Sequence, residues 1–422
     1  MALTPPTAPT TAPPVPAAAA PPAPVTPAPA GPATRALPAP AAPAPATPAT
    51  PAQLVDAEDL RARVDAAVGA HLAVLASEVA AISAVADGAA TALTDQAAVL
   101  LTGGKRLRAA LCWWSFRAHG GAPSGPAADA AVRTGAALEL FQAAALLHDD
   151  VMDNSDTRRG APTAHRAFAA RHAAAGWSGD AGRFGESGAI LLGDLVLVAA
   201  QRELTAALEP VPAVAGAVRD TFDRMQSEVV TGQYLDVLVQ AEPWGEDPAA
   251  DEARARAVLR AKSAGYSVAA PLELGALLAG AGAGRAALVH AAGVPLGEAF
   301  QLRDDVLGVF GDPSVTGKPA GDDLREGKRT VLVARTMSEL ALSSDDAART
   351  RLTACLGDPA LSGDDVSRVR DVIEGSGALA AVEHLVDELY ETALARLAAA
   401  DLAEPARGML HAIAAVLVDR ES

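Results

Sequence analysis

Apolar residues recur at three- and four-residue spacing over 58–82, 128–152, 188–207, 213–238 and 379–397. That period puts them along one face of an α-helix. The intervening segments 120–126, 176–188, 242–251 and 311–327 are rich in Gly, Pro and Asp and read as loops. No stretch alternates apolar and polar positions well enough to predict a strand, and no fixed-period repeat is present. The pattern predicts an all-α fold: one large single-domain helical bundle spanning residues 56–422.

Residues 1–55 are different material. They hold 18 of the 31 prolines and a single charged residue, Arg35, among Ala and Thr. Proline fixes φ and removes backbone donors, and no bulky apolar period is present, so this tract is expected to be a disordered Pro/Ala-rich tail. It lacks the basic start and continuous apolar stretch of a signal peptide. Later apolar runs are broken by charges, Gly or Pro, so no stable membrane insertion is expected and a cytoplasmic location is.

Composition narrows the chemistry. With 51 acidic against 34 basic residues the net charge is −17, which argues against nucleic acid as a partner. Only 3% of residues are aromatic, few for a β-rich protein. Two cysteines, Cys112 and Cys355, cannot build a disulfide framework or a four-thiolate zinc site, and reduced thiols are expected.

The most informative stretch is LELFQAAALLHDDVMDNSDTRRG at 138–160. An apolar helix runs into Asp149, Asp150 and Asp153, and Asp149 and Asp153 lie one turn apart on one face. Like charges at that spacing repel, and carboxylates ending an apolar run are costly to bury. A divalent cation removes both penalties, and oxygen ligands favour Mg²⁺ first and Mn²⁺ second. Arg158 and Arg159 follow directly. Carboxylates, a hard metal and paired arginines together describe a diphosphate site. FQLRDDVLGVFGDPSVTGKPAGDDLREGKRT, from residue 300, repeats the arrangement with Asp304, Asp305, Lys318, Lys328 and Arg329. Two such helices facing each other could clamp two or three metals around one diphosphate. Gly103-Gly104-Lys105-Arg106-Leu107-Arg108 lacks P-loop spacing and reads as a second, metal-free anion site.

Together with GQYLD at 232–236, these motifs resemble a trans-isoprenyl diphosphate synthase of the polyprenyl synthetase family, over roughly residues 60–420. The resemblance implies an isoprenoid-synthase bundle with a central cavity, acting as a geranylgeranyl diphosphate synthase-like enzyme. Its substrates would be isopentenyl diphosphate and an allylic diphosphate, condensed head to tail with Mg²⁺, and the enzyme would be a homodimer. It implies that Asp149, Asp150, Asp153 and Asp304 ligate metal, with Asp305 beside them. Arg158, Lys318 and Lys328 would hold the allylic diphosphate. Lys105, Arg108, Arg159 and Gln142 would serve isopentenyl diphosphate. Lys262 and Ser263 match a Lys-Thr pair beside the cationic centre, Gln233 and Asp236 the GQxxD motif, and Gln301 the glutamine before the second cluster.

One position departs from the pattern. The second motif usually reads DDxxD, and here its last position is Gly308. This puts the third metal's geometry in doubt while leaving Asp304 as principal ligand. His148 is read as a packing residue. Ala144 and Ala145, one turn before the first aspartate, are the expected chain-length positions. Being small, they point to a twenty-carbon product, with a longer polyprenyl chain as alternative. Phe141, Trp113 or Trp114 would form a deeper floor. A class I terpene cyclase would have no use for GGKRLR, and a noncatalytic subunit would typically lose an acidic motif.

Overall fold

The computed structural model describes residues 51–84, 90–245, 247–312 and 321–419. The proline-rich tract through residue 50 and Lys318 lie outside the described residues. The elements follow in chain order: α1 Pro51–Asp56, α2 Leu60–Ser83, α3 Thr91–Leu101, α4 Leu107–Ala118 and α5 Pro126–Met152. Next come a short hairpin (Thr157–Arg158 with Ala161–Pro162), α6 Ala164–Ala174, α7 Ala181–Leu208, α8 Pro212–Ala241 and α9 Pro248–Leu259. A π-helical segment, Arg260–Ala269, leads into α10 Ala270–Leu278 and α11 Ala283–Phe310. The chain ends with α12 Asp322–Arg325, α13 Val331–Leu342, α14 Asp346–Cys355, α15 Gly363–Ser376, α16 Ala378–Ala399 and α17 Ala406–Val418.

The fold is all-α, as the periodicity predicts. Helix α5 is its spine and packs along α7, with α4 and α2 against its other faces. Its start is set by Gly125, at φ 102°, and by Pro126 at the first helical position. Trp113, Phe116, Leu138, Leu192 and Phe222 are fully buried in one continuous core. Helix α1 opens at Pro51 and runs through the expected boundary at 56, with Leu54 buried in that core.

Two glycines bring helices unusually close around the π-helical segment. A Cβ on Gly232 of α8 would overlap Lys262 N and lie 2.7 Å from Lys262 Cα. A Cβ on Gly297 of α11 would overlap Ala264 O and lie 2.9 Å from Ala264 Cα. The absence of side chains there lets α8 and α11 press the widened turn from two sides. Such π segments are rare and concentrate at functional sites.

Two expectations are corrected. The unpredicted hairpin pairs Thr157 with Pro162 and Arg158 with Ala161. Its turn residues Arg159 and Gly160 have φ of 54° and 75°, as a type I′ turn requires. Residues 57–83, 126–152 and 181–208 are also long and apolar enough, by length and composition, to cross a membrane. Alanine raises their mean hydropathy. For the α5 window 78% of residues are buried inside the bundle, against 22% for 57–83 and 39% for 181–208.

Candidate active site

Helices α5, α8 and α11, the π-helical segment and α12 surround a cavity of about 580 Å³. Asp149 enters it from the C-terminal end of α5. Its Oδ1 accepts hydrogen bonds from Lys262 Nζ at 2.9 Å and Gln233 Nε2 at 3.1 Å. Lys262 Nζ also donates to Asp236 Oδ2 at 2.6 Å. The close approach at Gly232 thus carries Gln233 and Asp236 to the lysine, and Ser263 lines the cavity beside it. Burial alone would raise the Asp149 carboxyl. The charges of Lys262, Lys328 and Arg158 outweigh burial and hold it below the usual carboxylate range.

The side chain of Asp153, one turn on, is 3% exposed, and its Oδ2 lies 3.0 Å from Lys328 Nζ. Burial pushes its carboxyl up to about 6 despite that lysine. Asp150 behaves differently from the expected ligand. It is 2% exposed, does not line the cavity, and accepts from Arg158 Nε at 2.9 Å and from Arg158 Nη2. On the helix Asp150 is turned about 100° from Asp149 and about 60° from Asp153, and neither Asp150 nor Asp153 lines the cavity. The Asp150 carboxylate instead fixes the guanidinium of Arg158, which lies 3.7 Å from Asp149 Oδ2.

From α11, Asp304 and Asp305 both line the cavity, and Gln301 Nε2 donates to Asp305 Oδ1 at 2.9 Å. Burial, reinforced by the charges of Asp323 and Asp304, lifts Asp305 well above the usual range. Lys328 is ringed by acids, with Glu326 Oε2 at 2.5 Å and Asp323 Oδ1 at 3.7 Å besides Asp153. These carboxylates outweigh burial and raise its ammonium well above the ordinary value. Glu326 and the pair Asp322–Asp323 were not singled out from sequence. Their only signal was the acidic composition of GDDLREGK.

A basic wall adjoins the acids. Lys105 lines the cavity from an exposed position, and Arg108 Nη2 donates to Ser267 Oγ at 2.8 Å with its guanidinium 4.5 Å from the Tyr266 ring centroid. Arg106, between them, is buried and structural, bonding Asp65 at 2.8 Å, Glu139 at 3.3 Å and Leu101 O at 2.6 Å. It has a left-handed φ of 50° and also borders the cavity. The hairpin turn projects Arg159 over Gly104, where an added Cβ would meet its Nη1 at 3.4 Å. Gln142 also lines the cavity, and Arg329 does so from elsewhere, donating to Glu242 O and lying 4.4 Å from the Trp244 ring centroid.

The apolar lining separates the two alanines. Ala145 lines the cavity, whereas Ala144 is 1% exposed and packs elsewhere. Phe141 is buried edge-on against Tyr266, itself a lining residue, with centroids 5.9 Å apart. The two tryptophans form no floor. Trp113 Nε1 bonds Glu58 at 3.0 Å and Trp114 Nε1 bonds Leu54 O at 3.4 Å, both on the side of α1. His148 turns away, with Nε2 3.2 Å from Ile190 O and its ring packed over Gly193.

Against known proteins, the polyprenyl synthetase family model matches residues 91–373. A geranylgeranyl diphosphate synthase of Mycobacterium tuberculosis is 34% identical over 304 residues, covering 72% of this chain and 77% of that one. A geranylfarnesyl diphosphate synthase of Aeropyrum pernix is 34% identical over 283 residues, 67% of this chain and 79% of that one. A (2E,6E)-farnesyl diphosphate synthase of Mycobacterium bovis is 32% identical over 278 residues, 65% and 68% of the two chains. Among solved structures, a geranylgeranyl pyrophosphate synthase from Corynebacterium glutamicum, complexed with isoprenyl diphosphate and magnesium, superposes with a TM-score of 0.78. That protein is 37% identical, with 86% of this chain and 99% of that one covered.

Proposed function

This chain belongs to the polyprenyl synthetase family and is a trans-prenyltransferase; we propose that it joins isopentenyl diphosphate to an allylic diphosphate and stops at the twenty-carbon geranylgeranyl diphosphate. The observation that carries the reading is the division of one cavity into two differently charged walls. One wall interleaves carboxylates with Lys262, Lys328 and Arg158. The other holds Lys105, Arg108 and Arg159. Two diphosphates, one carried with metal and one without, match those walls.

The acid wall fits a hard divalent cation by its donor chemistry, while no three acids converge as a ready-made metal site among the described residues. Its donors are all carboxylate oxygens, and the lift of Asp153 to about 6 is a burial penalty that such an ion offsets. Asp149, Asp153 and Asp304 would hold Mg²⁺, and Asp150 orients Arg158 instead. Once bound, the ion would neutralise the diphosphate and polarise its oxygens as a Lewis acid.

The chain's own residues do the rest. Arg158 and Lys328 bind the allylic diphosphate by charge and favour its departure. The allylic C–O bond breaks, and inorganic diphosphate leaves with the bonding pair. Lys105, Arg108, Arg159 and Gln142 hold isopentenyl diphosphate so that its double bond faces the allylic carbon. A C–C bond forms there, and the proton lost from the isopentenyl unit goes to the departing diphosphate. Asp149 and Asp236 keep Lys262 fixed beside this centre, and Ser263 adds a hydroxyl.

Chain length rests on the apolar lining. Ala145 leaves room beside the first aspartate, and Phe141 behind Tyr266 supplies bulk one turn deeper. The relatives include farnesyl, geranylgeranyl and geranylfarnesyl synthases, so a longer product is the second reading. The exposed apolar side chains Ile190, Leu191 and Val198 on α7 and Val230, Tyr234 and Val237 on α8 support a homodimer. We place the enzyme in the cytoplasm, in line with the surplus of acidic residues. Mass spectrometry of products made from isopentenyl diphosphate with geranyl or farnesyl diphosphate tests the length. A main product of fifteen carbons would overturn it.

A further inference from the structure

The most deeply buried carboxylate among the described residues takes no part in the acid wall. Glu298, on α11, is 1% exposed and does not line the cavity. Its Oε1 accepts from Arg256 Nε at 2.6 Å and its Oε2 from Arg260 Nε at 2.8 Å. A carboxylate is costly to bury, and two guanidinium groups offset that cost here. Arg256 belongs to α9, and Arg260 opens the π-helical segment that carries Lys262.

This grip falls where the helix changes register. Gly297, next to Glu298, faces Ala264, and a Cβ built on it would lie 2.9 Å from Ala264 Cα. Gly293, one turn earlier on α11, faces Ala269, and a Cβ built on it would lie 2.6 Å from Ala269 Cα. Four residues on α11 are thus matched by five on the facing segment, the extra residue of a π turn. The two glycines hold that excess from the far end, and Glu298 holds it from the near end through Arg256 and Arg260. Lys262 lies between the two anchors. A slip of one residue would turn it by about 100° and carry its Nζ away from Asp149 and Asp236, which it meets at 2.9 and 2.6 Å.

We infer that Glu298 is a positioning residue: by gripping Arg256 and Arg260 it fixes the register of the turn from which Lys262 reaches Asp149 and Asp236. The inference rests on the prenyltransferase reading and deepens it. Glu298 touches neither diphosphate wall, so its effect on the reaction passes through Lys262. The arginine side chains are 26% and 49% exposed. Loss of the carboxylate therefore frees them to turn to solvent and strands no cation in the core, so the fold persists while the register is released.

The test measures turnover of the full chain with radiolabelled isopentenyl diphosphate, farnesyl diphosphate and Mg²⁺, in single-turnover mode where a variant is slow. Glu298→Gln keeps the shape and removes the charge. It should lower kcat by about ten- to a hundredfold, the scale of a small misplacement at a reacting centre, and leave KM for isopentenyl diphosphate within about twofold. Arg260→Gln removes one arm from a half-exposed position and should give a smaller fall in kcat; it decides the matter alone if Glu298→Gln does not fold. Each change is then made again in Lys262→Ala. There it should cost nothing further, because the group it positions is gone. A merely structural role would cost the same in both backgrounds. A crystal structure of the folded variant reads the position directly: Lys262 Nζ should lie out of hydrogen-bond reach of Asp149 Oδ1. Three outcomes overturn the inference: unaltered kcat in the variants, a loss that persists undiminished in Lys262→Ala, or Lys262 still bonded to both aspartates. In each of these the prenyltransferase reading stands. If the unaltered chain joins no isopentenyl unit to the primer, both fall.

Discussion

Asp153→Asn should make the metal-free protein more stable and the enzyme nearly inactive. The Asp153 side chain is 3% exposed, and its carboxyl is lifted from 3.8 to about 6 by burial. At about 1.4 kcal/mol per pH unit, that rise costs about 3 kcal/mol when the group is ionised. A raised carboxyl binds its proton more tightly folded than unfolded. Stability therefore declines as pH rises from 3.8 toward 6, and the full cost is present above 6. Asparagine removes the charge and keeps the shape. Lys328 stays paired, since Glu326 Oε2 remains 2.5 Å away. Urea unfolding at pH 8 without metal should show the variant more stable by up to about 3 kcal/mol, with the gain vanishing near pH 4. Adding Mg²⁺ with pyrophosphate should stabilise the unaltered protein and leave the variant nearly unmoved. A variant less stable than the parent at pH 8, and equally so at pH 4, would refute the reasoning. Asp153 would then be a satisfied ion-pair partner, not an acid held ready for a cation.

Further outcomes follow from the same geometry. Asp149→Ala or Asp304→Ala should lower turnover by roughly a hundredfold or more while circular dichroism stays unchanged, and chelation should abolish activity reversibly. Lys105→Ala and Arg108→Ala should raise KM for isopentenyl diphosphate about tenfold while KM for the allylic primer moves little; equal effects on both would remove the case for a separate second wall. Ala145→Phe should shorten the main product, because Ala145 lines the cavity. Ala144→Phe should instead cost about 1–3 kcal/mol by overpacking the core, seen as a lower unfolding midpoint at unchanged product length.

Much of the acid site could be read along the chain because its key spacing is local. Asp149 and Asp153 are one helical turn apart, and basic residues follow within a few positions. The same rule, applied more strictly, separates Asp150 from Asp149 and Ala144 from Ala145, since each pair is rotated by about 100°. Asp323 could not be found this way. Its place over Gly308 depends on how α12 returns across α11, and no local spacing records that. The π-helical turn under Lys262 is likewise a tertiary product, forced where Gly232 and Gly297 admit two helices at close range. The Arg159-Gly160 turn was a legible signal, and the longer helical rhythm around it hid the hairpin. Alanine misled in another way: it satisfies helix and membrane composition alike, and only tertiary packing shows that most of the α5 window is interior.

The central claim is that this cavity unites two diphosphate substrates by a carbon–carbon bond. The most direct measurement incubates the purified full chain with labelled isopentenyl diphosphate, farnesyl diphosphate and Mg²⁺, then analyses the products by mass spectrometry beside released inorganic diphosphate. The account predicts all-trans geranylgeranyl diphosphate, with one inorganic diphosphate released for each isopentenyl unit consumed. Farnesyl diphosphate converted to hydrocarbon or alcohol while the isopentenyl label stays untouched would contradict it.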